Sequence, residues 1–274
     1  MKLKVKLFDT KLLNSYLAIL STISLICSFV LIVVEVPGDF KLDFGIVMLI
    51  ALSLIYLVMW LCANMLTEIK LNINNSSFVV KIGDIFKEDG LKVIAFNEYF
   101  DTQVDNKIIA ENSLNGIYIK SKNSDLNELD ALIDTDLHLK EKLISIHDDR
   151  LYGKKKKYEL GTVLQKDDYL LTAFTKFDDN NRAFLDMNEY ISFLLNFWNE
   201  IDIIYSGRSV SIPLLGSGIT RFKEYNTITE QELLELLIWS FKVSRIKFPY
   251  PAKVSIIIHE SKKDKINFYK LNQI

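Results

Sequence analysis

Val210-Ser211-Ile212-Pro213-Leu214-Leu215-Gly216-Ser217-Gly218-Ile219 is a short apolar strand that runs straight into a loop carrying two glycines. Upstream, Gly83-Asp84-Ile85 closes another apolar run, residues 78–82, and Val93-Ile94-Ala95-Phe96-Asn97 is a third that ends on a polar side chain. Residues 169–174 and 254–258 have the same character. Short runs rich in Val, Ile and aromatics read as strands buried on both faces. Helical patterns alternate with them. Ile191, Leu194, Leu195, Trp198 and Ile201 recur at three- and four-residue spacing within residues 187–205. Thr229 with Glu232 reads as a capping box opening a helix that runs to about Phe241, and residues 126–133 form a further helical stretch. The alternation predicts an α/β fold, a mainly parallel or mixed sheet sandwiched by helices. Ligands in such sheets bind at the carboxyl ends of the strands, which is where the glycine-bearing loops fall.

The chemistry of those loops follows from their residue types. Glycines at 216 and 218 let backbone N–H groups converge on a diphosphate, and Ser217 can add a hydroxyl donor. The same Gly-Ser-Gly also suits a plain tight turn. Asp84 can accept a hydrogen bond from an exocyclic amine such as that of adenine, or it can start a turn or cap a helix. Asn97 can hold a ribose hydroxyl or initiate a turn. Each signal is ambiguous alone; their order along the chain is the stronger observation.

The N-terminal part is of another kind. Residues 17–34 carry no charge, and residues 44–66 are apolar apart from Ser53, Tyr56 and Asn64. Each run reaches the roughly 20 residues that cross about 30 Å of hydrocarbon as a helix. The expected organisation is a transmembrane hairpin over residues 1–70, with spans near 12–36 and 44–66, and a ligand-binding domain over residues 71–274. A cleaved signal peptide fits less well, because the first run is long, lacks a small-x-small site and is followed directly by a second. Lys2, Lys4, Lys6 and Lys11 precede the first span, whereas the connector sets Lys41 against Glu35, Asp39 and Asp43. That lysine excess predicts a multi-pass plasma-membrane or inner-membrane protein with both termini cytoplasmic. Cys27 and Cys62 both lie in the spans, so no disulfide scaffold is implied.

Charge excludes a further class. With 33 Lys and Arg against 35 Asp and Glu, the net charge of −2 lacks the basic excess of a nucleic-acid binder. His138, His147 and His259 are scattered without carboxylate or cysteine spacing, so no metal or cofactor is expected. His259 either borders the pocket or is a surface imidazole. The lysines at 154–157 suit either a solvated hairpin tip or anionic headgroups.

Residues 80–109 resemble the opening of a macro domain, the ADP-ribose-binding fold. The resemblance gives Asp84 the adenine contact, Ile85 its backbone neighbour and Asn97 the distal ribose. Val104-Asp105 and Ile108 look like the residues that follow the family's glycine-rich first loop, with Asp105 where hydrolytic members keep an acid. Residues 212–219 resemble the second, diphosphate-binding loop, so the site is expected over Leu215, Gly216, Ser217, Gly218, Ile219, Thr220 and Arg221. Two departures stand out. Asp101-Thr102-Gln103 replaces the usual glycine run, and Ala95-Phe96-Asn97 replaces paired asparagines. Both weaken a hydrolase assignment and favour a pocket of altered shape, one that accommodates a group attached to ADP-ribose, such as an amino acid.

Two spans joined to such a domain are similar to the membrane-anchored macro-domain effector of Thoeris antiphage defence systems. That resemblance implies an ADP-ribose-type signal made from NAD by a partner TIR-domain enzyme, homo-oligomerisation on activation, and damage to the lipid bilayer. A membrane-tethered ADP-ribosylhydrolase using Asp105 and Asn97, or a scaffold that has lost ligand binding, are the alternatives.

Overall fold

The computed structural model describes residues 3–123, 125–178, 182–218, 221–222 and 228–272, and of Arg221 only the backbone. Two compact units make up the chain, residues 1–67 with 267–274 and residues 68–266.

In the first unit, α1 (Thr10–Val33) opens on Asp9, whose carboxylate accepts from the Lys11 and Leu12 N–H groups. A 3-10 turn over Gly38–Phe40 leads into α2 (Lys41–Met65). Both helices are long and apolar enough to cross a membrane, and almost none of either span is buried within the chain (0% and 6%). Leucines and isoleucines such as Ile32 point outward instead. That outward apolar surface is the opposite of a soluble core helix, which hides its apolar stripe. The polar residues of α2 hydrogen-bond to backbone groups within this unit. Ser53 donates to the Leu49 carbonyl 2.8 Å away, and Tyr56 donates to the Leu7 carbonyl. Asn64 Oδ1 accepts from the Lys4 and Val5 amides at 2.7 and 2.9 Å. These groups fix the N-terminal segment against the end of α2, around buried Val5, Leu12 and Ala63.

The second unit is built in chain order from β1 (Glu68–Ile73), β2 (Ser76–Ile82), β3 (Leu91–Asn97), α3 (Leu114–Ser121), α4 (Leu126–Thr135), α5 (Leu137–Glu141), β4 (Leu143–Ile146), β5 (Lys156–Tyr158), β6 (Val163–Lys166), β7 (Tyr169–Phe177), β8 (Ala183–Leu185), α6 (Met187–Ile204), β9 (Val210–Pro213), β10 (Arg221–Phe222), α7 (Glu230–Ser244) and β11 (Lys253–Ile258). The main sheet runs β1-β2-β11-β9-β3-β7-β8-β10, with β6 also paired to β7. Its centre, β2-β11-β9-β3-β7, is parallel throughout, while β1, β6 and β8 join antiparallel. The expected α/β sandwich is therefore the observed one, and the helix opened by Thr229 and Glu232 has both halves of its capping box.

Side-chain alternation along the central strands buries both faces. Ile94 and Phe96 of β3, with Leu171 and Ala173 of β7, pack in one cluster with Tyr118, Leu129, Ile133 and Leu139 from α3, α4 and α5. Phe174, one residue out of phase, meets Tyr190 and Phe193 of α6 at ring distances of 6.1 and 4.8 Å. On α7, Phe241 stacks near Trp198 of α6 (4.8 Å) and Phe78 of β2 (5.1 Å), and the Trp198 indole donates to Ser240 at 2.8 Å.

The register of the middle pair positions the site. β3 and β9 pair only at Leu91–Val210 and Lys92–Ser211. Beyond those two pairs the strands part, and the carboxyl halves of β3 and β9 border an opening. Phe241 is fully buried and joins α6, α7 and the sheet. Phe241→Ala is expected to cost about 3–5 kcal/mol, the range for truncating a buried aromatic, as a lower urea midpoint for the full chain in detergent.

Candidate functional site

Where β3 and β9 separate, a cleft of about 480 Å³ opens at the carboxyl edge of the sheet, within the size range of small-molecule sites. One wall is the end of β9 and the loop Leu214-Leu215-Gly216-Ser217-Gly218. The facing wall is Ile108-Ile109-Ala110 and Asn112 through Asn115, which lead into α3. Ala95, Phe96 and Asn97 form the floor, Phe174, Thr175, Phe177 and Ala183 close one end, and His259, Ser261 and Lys262 stand at the other.

Each wall has a local reason for its shape. Ser113 caps α3, accepting from the Gly116 N–H at 3.0 Å while donating to the Ala110 carbonyl at 2.6 Å. A Cβ on Gly116 would stand 2.2 Å from that same carbonyl, so only glycine lets α3 lie this close to the segment before it. The first turn of α3 consequently borders the cleft, and a helix N-terminus favours negative charge there. Asn115, also on this wall, is buried, and its Oδ1 has no hydrogen-bond partner among the described residues. Opposite, Gly216 adopts φ +86°, and a Cβ on it would meet the Phe222 ring at 2.9 Å. The Tyr190 hydroxyl donates to the Leu215 carbonyl at 3.2 Å and fixes the loop from beneath.

The residues singled out in the sequence divide into three groups. Asn97, Leu215, Gly216, Ser217 and Gly218 line the cleft. The hydroxyl of Ser217, expected as a ligand donor, is given to the Leu214 carbonyl at 2.7 Å. Asn97 also has its polar atoms engaged: Nδ2 donates to Asp101 at 2.8 Å, and Oδ1 accepts from the Tyr99 and Asp101 amides. Asp84, Ile85 and Asp105 are not part of the described lining. Asp84 is exposed and caps the 3-10 turn Ile85–Lys87 by accepting from the Phe86 N–H, while Ile85 is buried. It lies at the end of β2, beside the end of β11, where the Gly83 N–H bonds the Ile258 carbonyl. Asp105 accepts from the Ile108 and Lys107 amides and from Gln103. The Ile108 hydrogen bond leads in holding its carboxyl below the usual range, which makes it a weaker base. Ile219 and Thr220 lie outside the described residues, as does the Arg221 side chain.

What replaces the glycine run is a buried ionic cluster. Asp101, 0% exposed, takes both Arg150 nitrogens at 3.0 and 2.7 Å and the Lys154 amide at 2.6 Å. Arg150 also lies over the Tyr99 ring, 3.8 Å from its centroid. A Cβ on Gly153 would sit 2.4 Å from Asp101 Oδ1, so glycine admits the loop to this carboxylate. Next to it, Glu98 is buried 3.1 Å from Lys157; burial pushes its carboxyl up despite that lysine. The lysine run is matched to acids along its length: Lys154 to Asp130, Lys155 to Asp148, Lys156 to Asp134 and Lys157 to Glu98. The run therefore leads into β5 of the hairpin with each lysine paired to an acid, and it is not a free headgroup patch. Of the histidines, His138 bonds Glu200, His147 bonds Ser145, and exposed His259 borders the cleft. Among the described residues no group of His, Cys, Asp and Glu is arranged to hold a metal.

Sequence reasoning named Ile108 but missed the rest of the wall over residues 109–115, the Asp101–Arg150 pair and Lys262. Ser113 three residues before Gly116 was the legible trace of the first. The Asp101–Arg150 pair closes over 49 residues and left no local pattern.

Comparison with known proteins gives three results. The family model described as Thoeris protein ThsA, Macro domain, matches residues 78–259. A Thoeris protein ThsA of Bacillus amyloliquefaciens (strain Y2) is 45% identical over 234 residues, covering 83% of this chain and 78% of that one. Among solved structures, the Oceanobacillus iheyensis macrodomain with ADP is 11% identical with a TM-score of 0.49, covering 76% of this chain and 98% of that one. A variant of that macrodomain with ADPR is 14% identical with a TM-score of 0.46, covering 75% and 95%.

Two outcomes follow from this geometry. Asp101→Ala strands Arg150 beside a buried hole and is expected to cost about 3–5 kcal/mol in urea unfolding. At the other end of the cleft, Glu230 accepts from Lys262 and Lys265 at 2.9 and 2.6 Å. Burial alone would raise its carboxyl, but the two lysines outweigh it and hold it at about 2. Its stabilising contribution is then complete above its unfolded value of 4.5 and is lost as pH falls toward 2. Glu230→Gln is expected to flatten thermal stability across that window.

Proposed function

Because the chain belongs to the ThsA family of Thoeris proteins and carries that family's macro domain, we propose that it is a membrane-anchored effector of antiphage defence. Its macro domain senses an ADP-ribose-type signal derived from NAD, supplied by a partner TIR-domain enzyme through that enzyme's product. The observation that carries this reading is the cleft between the parted strands β3 and β9, which sets the glycine loop at 214–218 opposite the N-terminal turn of α3. Backbone N–H groups on both sides suit a diphosphate.

The engaged Asn97 and the ionic cluster behind it give the ribose end of the cleft its own shape, suited to a substituted ADP-ribose such as an amino-acid conjugate. Helices α1 and α2 anchor the chain in the inner or plasma membrane with both termini cytoplasmic. Ligand binding favours an assembled state of several copies, and the spans then disrupt the bilayer; the ligand must bind that state better than the resting one. The hydrolase alternative draws no support from Asp105, whose carboxylate is bound to backbone amides away from the cleft lining.

Titration calorimetry of the full chain in detergent, with ADP-ribose, its cyclic isomers and amino-acid conjugates, tests the proposal. The expected result is selective binding in the micromolar range or tighter, roughly 8 kcal/mol or more. Gly216→Val, strained at positive φ and crowded by Phe222, is expected to abolish it and to lower the melting temperature. Heat from none of these compounds would overturn the proposal, and recovery of a cleaved ligand would make the protein an enzyme.

A further inference from the structure

The charges around the cleft are distributed unevenly. Among its described lining residues there is no aspartate or glutamate, and Lys262 is the one lysine or arginine. Lys262 lies on the 3-10 segment Glu260–Lys265 that follows β11. Its Nζ pairs at 2.9 Å with Glu230, at the first position of α7. Lys265, on the same segment, pairs with the same carboxylate oxygen at the shorter distance of 2.6 Å. Lys265 is 55% exposed and is not part of the lining, whereas Lys262 is 28% exposed and is.

Glu230 is thus held more than once. It has Lys265, and it stands in the first turn of α7, where the helix favours an anion. Lys262 shares Glu230 with Lys265 and is the only lysine or arginine among the described lining residues of the cleft. Lys262, Lys265 and Glu230 thus form one ion-paired triad, and Lys262 is its member on the cleft lining.

We infer that Lys262 is a transferable cation, exchanging Glu230 for the anionic group of the bound ligand, so that it selects charged nucleotides over neutral nucleosides. The inference rests on the proposal that the cleft takes an ADP-ribose-type ligand, and it adds the residue that reads the ligand's charge. Glu230 opposes binding by competing for Lys262, and Lys265 assists by keeping Glu230 satisfied after the exchange.

The test uses the full chain in detergent, with ADP-ribose and adenosine as probes and salt varied. Lys262→Met is expected to weaken ADP-ribose about tenfold, as for loss of one partly exposed charge-assisted bond, and to flatten its salt dependence. Adenosine affinity should stay unchanged, and Lys262→Arg should restore ADP-ribose. Glu230→Gln should tighten ADP-ribose about threefold, a gain that vanishes when combined with Lys262→Met. Melting temperatures establish that each variant is folded. A Lys262→Met protein with unchanged ADP-ribose affinity, or a Glu230→Gln protein weakened as much as Lys262→Met, would overturn this inference alone. A wild-type chain that binds neither probe would overturn the functional proposal and this inference together.

Discussion

The parting of β3 from β9 after two residue pairs is the constraint on which the site depends. Five parallel strands buried on both faces leave side chains no freedom to form a pocket within the sheet. A cavity can arise only where neighbouring strands cease to pair and their loops turn in opposite directions. Here the β9 loop turns under α7, anchored by Tyr190 and by the tight approach of Gly216 to Phe222. The chain after β3 instead winds through residues 98–113 before α3 begins. The cleft is the space left between these two paths.

That winding segment is held by charge instead of glycine. Asp101 accepts hydrogen bonds from Arg150, Lys154 and Asn97, so a single buried carboxylate organises the floor of the cleft and the hairpin over residues 143–158. Burying a carboxylate is costly, and this geometry offsets the cost with a bidentate guanidinium and further donors. One consequence is that Asn97 is committed to structure. In the proposed function, recognition then falls to the backbone of both walls, to Asn115, whose oxygen has no partner among the described residues, and to Lys262.

Much of the architecture was legible in the sequence because it is written in local periodicity. The strands at 210–213 and 254–258, the helix from Met187 and the capping box at Thr229 all appear within two or three residues of their expected places. The apolar runs near the N-terminus were equally plain, although α1 begins at Thr10 because Asp9 caps it there. The candidate site was legible only in part. Gly216 to Gly218 sit on the cleft because they follow β9 on the side where it parts from β3. The first wall was sought over Val104, Asp105 and Ile108; Ile108 lines the cleft, and the wall continues through Ile109 and Ala110 to Asn115. Ser113 ahead of Gly116 is the one local mark of that wall: what decides is the fit of Gly116 against Ala110 and the pairing of Asp101 with Arg150 across 49 residues.

A structure of the full chain bound to ADP-ribose tests the central claim most directly. The account predicts the nucleotide lying between residues 110–115 and 214–218, with its diphosphate at the first turn of α3. Ligand bound anywhere else on the chain, or a cleft that stays closed to it, would contradict the account.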